Sequence, residues 1–260
     1  MPLGGVARRA TSIRQTRWQT RHVLLLDAGN SLTTSDMPPY EPGANAQGRL
    51  AVQALNRMRY DAVALGPMDL LLGRQELMKR IAEAETFSFL SANLVDRATG
   101  QLIAKPYVMQ EVAGHRVALI GITGAIPAGS SEFATRPPLE AAQEQVQRVR
   151  SQADIVILLS NAGASANKLI ASQVPDVDII ISGGQESLPR PVRPDGRALV
   201  VQAELASPGH AGCYLGRLRA ELDRSGSLAA HNWETIELNP SVADDPEMSA
   251  WVASLPKPYQ

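Results

Sequence analysis

The residues of this chain best placed for chemistry follow two short apolar runs in its second half. Residues 155–159 lead into the polar stretch 160–163, and residues 179–181 lead into 182–186. Both runs predict buried strands, and the segment between them has helical spacing. Such a unit makes the two strands parallel, and open α/β sheets bind ligands beyond the carboxyl ends of their strands. A site is therefore predicted where the sequence offers only amides, glycines and one carboxylate, Glu186.

Two earlier runs end in turns of the same kind. Residues 22–27 predict a buried parallel strand that ends at Asn30, and residues 61–65 predict another that ends in the turn 66–69. Helices are predicted at residues 48–59 and 73–85. Residues 31–47 contain three prolines and predict a long loop. The first half of the chain is therefore built from βα units.

Later segments favour antiparallel pairing. A turn at 113–114 joins the runs 107–112 and 115–122, as expected for a hairpin. A helix is predicted at 138–152, and three strand-like runs at 198–203, 212–222 and 232–238 are expected to close the fold with antiparallel strands. The residues predict one domain with a mixed sheet, or two sheets packed face to face between helices.

Composition excludes several function classes. The chain has 260 residues, a net charge of −1 and 44% hydrophobic residues, so nothing indicates binding to nucleic acid. The single cysteine, Cys213, forms no disulfide framework and is expected to be a buried thiol. No segment has the length of a transmembrane helix, and no signal peptide is evident. These features predict a cytoplasmic protein, or an extracytoplasmic one if the start is misassigned.

Read together and in order, these segments resemble the 5′-nucleotidase branch of the calcineurin-like metallophosphoesterases. The resemblance runs from Gly4 to Leu238 through VLLLDAGN, NRMRYDAVALGPMDLLLG, SANL, LLSNAGASANKLIASQVPDVDIIISGGQE and YLGRLRAELD. It implies an α/β fold, a four-layer αββα sandwich with two mixed β-sheets flanked by helices. Residues 1–240 would form this single domain and residues 241–260 a proline-containing tail. The family's first strand is expected before Gly4 and is missing from the sequence.

The resemblance also implies where a site would lie. The family uses two divalent metal ions held by a bridging aspartate, histidines and an asparagine, with a further histidine for the leaving group. The matching positions in this chain are occupied by Asn30, Pro67, Met68, Asp69, Asn161, Gly184 and Glu186. We call these seven residues the vestigial site.

Most vestigial-site residues are unsuited to the family's chemistry. Asn30 lacks the charge of a bridging carboxylate, Pro67 has no donor atom in its side chain, and Met68 takes the position of the catalytic histidine but is neither acid nor base. We therefore predict no catalytic residue and no metal cofactor. The alternative is a single weakly held Ca²⁺ or Mg²⁺ at Asn30, Asn161 and Glu186.

Three functions are consistent with the sequence. The first is a pseudoenzyme, a binding or structural module with protein partners in a larger assembly. The second is an active metal-dependent phosphoesterase with remodelled ligands and a misassigned start. The third is a metal-free phosphate or nucleotide-binding protein that uses the backbone amides of Gly29, Gly66, Gly183 and Gly184. His210 is either a surface residue or faces the same site.

Overall fold

The computed structural model describes residues 3–33, 46, 48–184, 186–203, 212–223 and 226–256. The helices are α1 Val6–Gln19, α2 Arg49–Met58, α3 Gly73–Ala82, α4 Pro138–Val149, α5 Ala164–Gln173 and α6 Pro246–Ser254. The strands are β1 Leu26–Asp27, β2 Ala62–Ala64, β3 Ser88–Leu90, β4 Leu94–Asp96, β5 Tyr107–Val112, β6 His115–Ile122, β7 Phe133–Thr135, β8 Ile155–Ser160, β9 Ile179–Ser182, β10 Leu199–Val201, β11 Tyr214–Leu222 and β12 Leu228–Glu237. Most of the predicted long loop at 31–47 and His210 lie outside the described residues.

Two facing sheets form the centre of the molecule. One has the order β1-β2-β3 and the other β10-β9-β8-β6-β5. Strand β2 packs on β6 and β8, while β3 packs on β5 and β6. The predicted α/β sandwich is confirmed, but only the larger sheet is mixed. The three-stranded sheet is entirely parallel, because its strands are connected through helices rather than hairpins.

The hydrophobic core has three layers that correspond to this arrangement. We call the middle one the inter-sheet cluster; it comprises Ala62, Ala64, Leu90, Val117, Leu119, Ile155, Ile157, Leu159 and Ile179. A second cluster lies beneath α4 and α5, and a third, the α1-side cluster, lies beneath α1, α2 and α3. The sheets approach closely at Gly121, where a Cβ atom would lie 2.3 Å from the Leu90 carbonyl oxygen. Glycine is required there for close packing.

The predicted βαβ unit and hairpin are present. Strands β8 and β9 pair in parallel on either side of α5, and β5 pairs with β6 antiparallel. The closing strands differ in part from the prediction, because β10 pairs with β9 in parallel. The antiparallel expectation holds for β11 and β12, which form a separate two-stranded hairpin.

Three further features were not predicted. Strand β1 has two residues instead of the six in the apolar run 22–27. Strands β4 and β7 pair with each other, and the β7 residue Phe133 is fully buried. The C-terminal segment contains α6, which begins at Pro246 and whose Met248 N–H donates to the Asp245 side chain at 2.9 Å. Proline suits the first position of a helix, so the prolines did not exclude one here.

Within the described ranges, every helix is too short or too polar to cross a bilayer.

Candidate functional site

The turns predicted to meet at the carboxyl ends of the strands do meet, and two asparagines join them. The Nδ2 of Asn30, after β1, donates to Oδ1 of Asn161, after β8, at 3.3 Å. The Nδ2 of Asn161 then donates to the Ala28 carbonyl oxygen at 2.9 Å. Each sheet contributes one asparagine, so this amide pair bridges the two sheets where a ligand would lie.

Asn30 is held in place by its backbone and by the neighbouring turn. Its φ of 63° lies in the left-handed region, which asparagine tolerates better than most residues. Its Oδ1 accepts from the Met68 N–H at 2.9 Å. A Cβ atom on Gly66 would lie 2.2 Å from that same Oδ1. The position of the Asn30 amide therefore depends on glycine at residue 66.

Asp69 is fully buried and connects the two turns of the smaller sheet. One carboxylate oxygen accepts from the N–H groups of Asn30 at 3.1 Å and Gly66 at 2.8 Å, and the other from Leu32 at 2.9 Å. Burial raises the pKa of Asp69 to about 7, and the three N–H donors oppose that rise. Both of its oxygens are committed to backbone amides, so Asp69 stabilises the turns.

Pro67 and Met68 contribute shape and one backbone donor. They begin a 3₁₀ helix, Pro67–Leu72, whose first positions suit proline. Both residues are half-buried, and the side chain of Pro67 would lie 3.2 Å from a Cβ on Gly124. Met68 contributes its backbone N–H, which donates to Asn30 Oδ1. Neither side chain offers an acid, a base or a hard metal ligand.

Glu186 forms a hydrogen bond with α5, which the sequence did not predict. Its Oε2 accepts from the Ser165 N–H at 2.6 Å in the first turn of α5, and this hydrogen bond lowers the pKa of Glu186. A carboxylate is favourable there because the N–H groups of a helix start are unpaired and carry partial positive charge. Gly184, with a φ of 97°, lies in the turn that brings Glu186 to the helix. Glu186 therefore acts as a cap for α5.

The donor set does not fit two divalent ions. No group of three or more histidine, cysteine, aspartate or glutamate residues that could hold a metal exists among the residues the structure describes. The two asparagine Oδ1 atoms already accept hydrogen bonds, and hard divalent cations need several oxygen ligands with carboxylates among them. The single-ion alternative at Asn30, Asn161 and Glu186 stays a prediction, and it would require Glu186 to leave α5.

Three of the four glycine amides predicted to bind an anion are already engaged. The Gly29 N–H donates to Asp27 Oδ1 and the Gly183 N–H to the Ser160 carbonyl oxygen, both at 2.8 Å. The Gly66 N–H donates to Asp69, as described above. An anion bound at these three amides would have to displace existing acceptors.

A second polar layer behind the amide pair was missed by sequence reasoning. Buried Asn167 of α5 donates to Ser182 Oγ at 2.8 Å and accepts from Ser160 Oγ. Through these two hydrogen bonds, its side chain connects the ends of β8 and β9. In the neighbouring turns, Thr123 Oγ1 donates to the Leu65 carbonyl oxygen at 2.7 Å and links the sheets. These residues could have been found from their positions in the sequence, because Thr123, Ser160 and Ser182 lie at or directly after the ends of strands.

Comparison with known proteins identifies relatives across nearly the whole chain. The 5′-nucleotidase of Bos taurus is 30% identical over 277 residues, which cover 95% of this chain and 46% of the relative. A 5′-nucleotidase precursor from Thermus thermophilus has a similar structure, with a TM-score of 0.81 and 26% identity over 97% of this chain and 53% of that one. The sulfate thiohydrolase SoxB of the same organism shares the fold, with a TM-score of 0.86 at 22% identity, covering 99% of this chain and 47% of that one. No protein-family model matches, and the chain spans about half the length of the curated relatives.

Proposed function

Because the chain belongs to the 5′-nucleotidase branch of the calcineurin-like metallophosphoesterase superfamily, we propose that it is a binding module that keeps the family fold without two-metal hydrolysis. The relatives bear the names of hydrolases, whereas the proposal rests on the side chains that this chain has at its strand ends. Its partner would be another protein.

One observation carries the proposal: the Asn30–Asn161 amide pair occupies the junction of the strand ends. In a two-metal mechanism, negative ligands hold cations that activate water and neutralise the phosphoryl oxygens. Asn30 and Asn161 are neutral, and each of their Oδ1 atoms is already accepting a hydrogen bond. Because both side-chain oxygens already accept hydrogen bonds, the pair gains little from a cation, and an amide is neither a general acid nor a general base.

The test combines metal analysis with a hydrolysis assay. The full chain would be equilibrated with Mn²⁺, Zn²⁺ or Mg²⁺, dialysed, and analysed for bound metal, and then assayed with AMP and p-nitrophenyl phosphate. We expect less than one ion per chain and no chelator-sensitive turnover. Two ions per chain together with turnover that a chelator abolishes would overturn the proposal.

The competing function is a metal-dependent phosphoesterase, which the hydrolase names of the relatives favour. The variant Asn161→Ala separates the two functions, because a remodelled metal site at these turns would need the side-chain oxygen of Asn161 as a ligand. Turnover that Asn161→Ala removes, while Asn232→Ala on the exposed face of β12 leaves it intact, would favour the hydrolase.

A further inference from the structure

Trp18 is the most exposed large apolar side chain in the part of the chain that the structure describes. It stands near the end of α1 with 89% of its surface accessible, while no other large apolar side chain in that part exceeds 48%. Single exposed apolar residues are common on protein surfaces, so Trp18 by itself indicates little. Tryptophan and arginine are nevertheless enriched at protein interfaces, and the neighbours of Trp18 are arginines.

The last turn of α1 is joined to the end of α2. The side chain of Arg17 donates through its two terminal nitrogens to the Met58 carbonyl oxygen at 2.7 Å and to the Arg59 carbonyl oxygen at 2.6 Å. Carbonyl groups at the end of a helix lack partners inside it, so this arginine serves as a cap. Residues 57–59 therefore lie beside the last turn of α1, and both Arg57 and Arg59 are exposed.

Helix α6 extends the same surface. Arg14 of α1 forms an ion pair with Asp245 at the start of α6, and the guanidinium of Arg57 lies 4.8 Å from the ring centroid of half-buried Trp251. An aromatic face attracts a cation, so this contact joins α2 to α6. We call the surface at the ends of α1 and α2 and along α6 the arginine face; its members are Arg14, Arg17, Trp18, Arg21, Arg57, Arg59 and Trp251.

The arginine face has an excess of positive charge. Among the described residues, Arg14 is the only one of its five arginines that forms an ion pair with a carboxylate, that of Asp245. Two further carboxylates lie at its border: Asp61, which accepts a backbone N–H at 2.7 Å, and Glu85 in the loop before β3. Five arginines thus outnumber three carboxylates, so the face attracts negatively charged groups although the whole chain has a net charge of −1.

A cleft of about 500 Å³ opens beside these arginines. Its lining is formed by Arg17, Val23, Arg59, Tyr60, Asp61 and Thr86. The last three of these residues come directly before β2 and β3, so the cleft lies at the amino ends of the smaller sheet, opposite to the vestigial site. The residues that dominate binding energy lie in desolvated depressions of an interface. The cleft therefore gives the arginine face a place where water can be excluded from a bound side chain.

We propose that the arginine face binds an acidic, extended segment of a partner protein. The planar guanidinium of arginine donates paired hydrogen bonds to a carboxylate, and the exposed ring of Trp18 offers an apolar contact beside the arginines. An aliphatic side chain flanked by aspartate and glutamate would therefore contact both kinds of group. The arginines set the charge of the segment, and Trp18 with the cleft favours one apolar residue within it.

A protein segment suits this face better than a membrane surface. Peripheral binding to a bilayer grows with the apolar area that enters it. Within the described ranges, the arginine face presents one largely exposed apolar side chain, Trp18, since Trp251 is half-buried. This inference goes beyond the proposed function and uses other residues, so peptide binding can fail or succeed whether or not the chain hydrolyses phosphate esters.

The direct test uses a fluorescently labelled synthetic peptide and the full chain. The probe has the sequence Glu-Glu-Asp-Leu-Glu-Glu-Asp, and the matched control is Gln-Gln-Asn-Leu-Gln-Gln-Asn, which keeps the shape and removes the charge. We expect saturable binding of the acidic peptide by fluorescence anisotropy, weakened about tenfold between roughly 50 mM and 250 mM salt, because salt screens exposed charges. Equal binding of the two peptides would overturn the proposal.

Four variants locate the binding. Trp18→Ala and Arg59→Gln should each weaken it about tenfold or more. The controls Met109→Ala and Arg219→Gln change an exposed apolar residue of β5 and an exposed arginine of β11, and should leave binding unchanged.

Because Trp18 and Arg59 are exposed, their replacement should not prevent folding, which circular dichroism checks. Binding that the first two variants leave intact would overturn the proposal. So would sedimentation with vesicles of phosphatidylcholine and phosphatidylserine that Trp18→Ala abolishes, if the acidic peptide does not bind, because the face would then serve a membrane.

Discussion

The strand-end turns and the apolar run at residues 22–27, which we call the β1 run, lie in the same layered sandwich and have different character. At the turns, Asn30, Asn161 and Asp69 use neighbouring backbone groups as partners, so this region is closed on itself. In the β1 run, the apolar side chains of residues 23–26 are half-buried, and β1 pairs with β2 alone among the described residues. The difference teaches that hydrogen bonds between turns hold the strand ends together, whereas packing on the inter-sheet and α1-side clusters holds the β1 run in place.

The largest effect is expected from a methyl group added to the closed region. Gly66→Ala would place Cβ 2.2 Å from Asn30 Oδ1, so the amide pair must shift, and we expect a loss of at least about 3 kcal/mol in the free energy of unfolding. Urea denaturation measures this. The control is Gly100→Ala, where a Cβ meets nothing within 4 Å and only the φ of 71° is unfavourable, at about 1 kcal/mol. Equal losses in the two variants would show that the turns are not tightly packed.

A pH effect of similar size should come from Asp69. An unfolded aspartate loses its proton near pH 4, while burial holds the pKa of Asp69 at about 7 in the folded chain. Asp69 therefore keeps its proton to higher pH in the folded chain than in the unfolded chain. Its contribution to the free energy of unfolding is fully present below pH 4 and is lost as the pH rises to 7. Between pH 5 and pH 8 the loss should be roughly 3 kcal/mol.

Asp69→Asn is the matched variant for the pH measurement, since it cannot titrate. Urea denaturation of both proteins at pH 5 and pH 8 should show the wild-type stability falling relative to that of the variant. A constant difference between the two proteins would mean that the three N–H donors outweigh burial and keep Asp69 ionised throughout.

A smaller loss is expected when the bridge between the sheets is removed. Asn161→Ala deletes the donor to Ala28 and the acceptor for Asn30, and we expect a loss of about 2 kcal/mol. The control is Asn232→Ala on β12, which is exposed and should change stability by less than about 0.5 kcal/mol. Thermal unfolding of both variants measures the difference. No loss in Asn161→Ala would show that water replaces the amide without cost.

The smallest effect is expected in the β1 run. Leu24→Ala removes a half-buried side chain and should cost about 1 kcal/mol, whereas Leu159→Ala in buried β8 should cost about 3 kcal/mol. Chemical denaturation provides both values. A cost for Leu24→Ala as large as that for Leu159→Ala would indicate that the β1 run is packed as closely as β8.

Much of the fold could be predicted from the sequence because its elements have local signals. The runs at 155–159 and 179–181 became β8 and β9, and the hairpin at 107–122 has the expected turn. Parallel pairing of β10 could not be predicted, because a three-residue strand has no signal for its neighbour. The α6 helix was not predicted because its segment contains prolines, although the first position of a helix tolerates proline.

The candidate site can be divided in the same way, into what the sequence determined and what the tertiary structure decided. The sequence by itself determined which residue types stand at the strand ends, and so which chemistry the turns lack, since a neutral amide or a glycine has no charge in any conformation. Only the tertiary structure decided that the Asn30 and Asn161 amides meet, that Glu186 caps α5, and that β1 pairs with β2. These outcomes depend on atoms far apart in the chain, and a hydrogen bond depends on distances and angles that residue identity does not set.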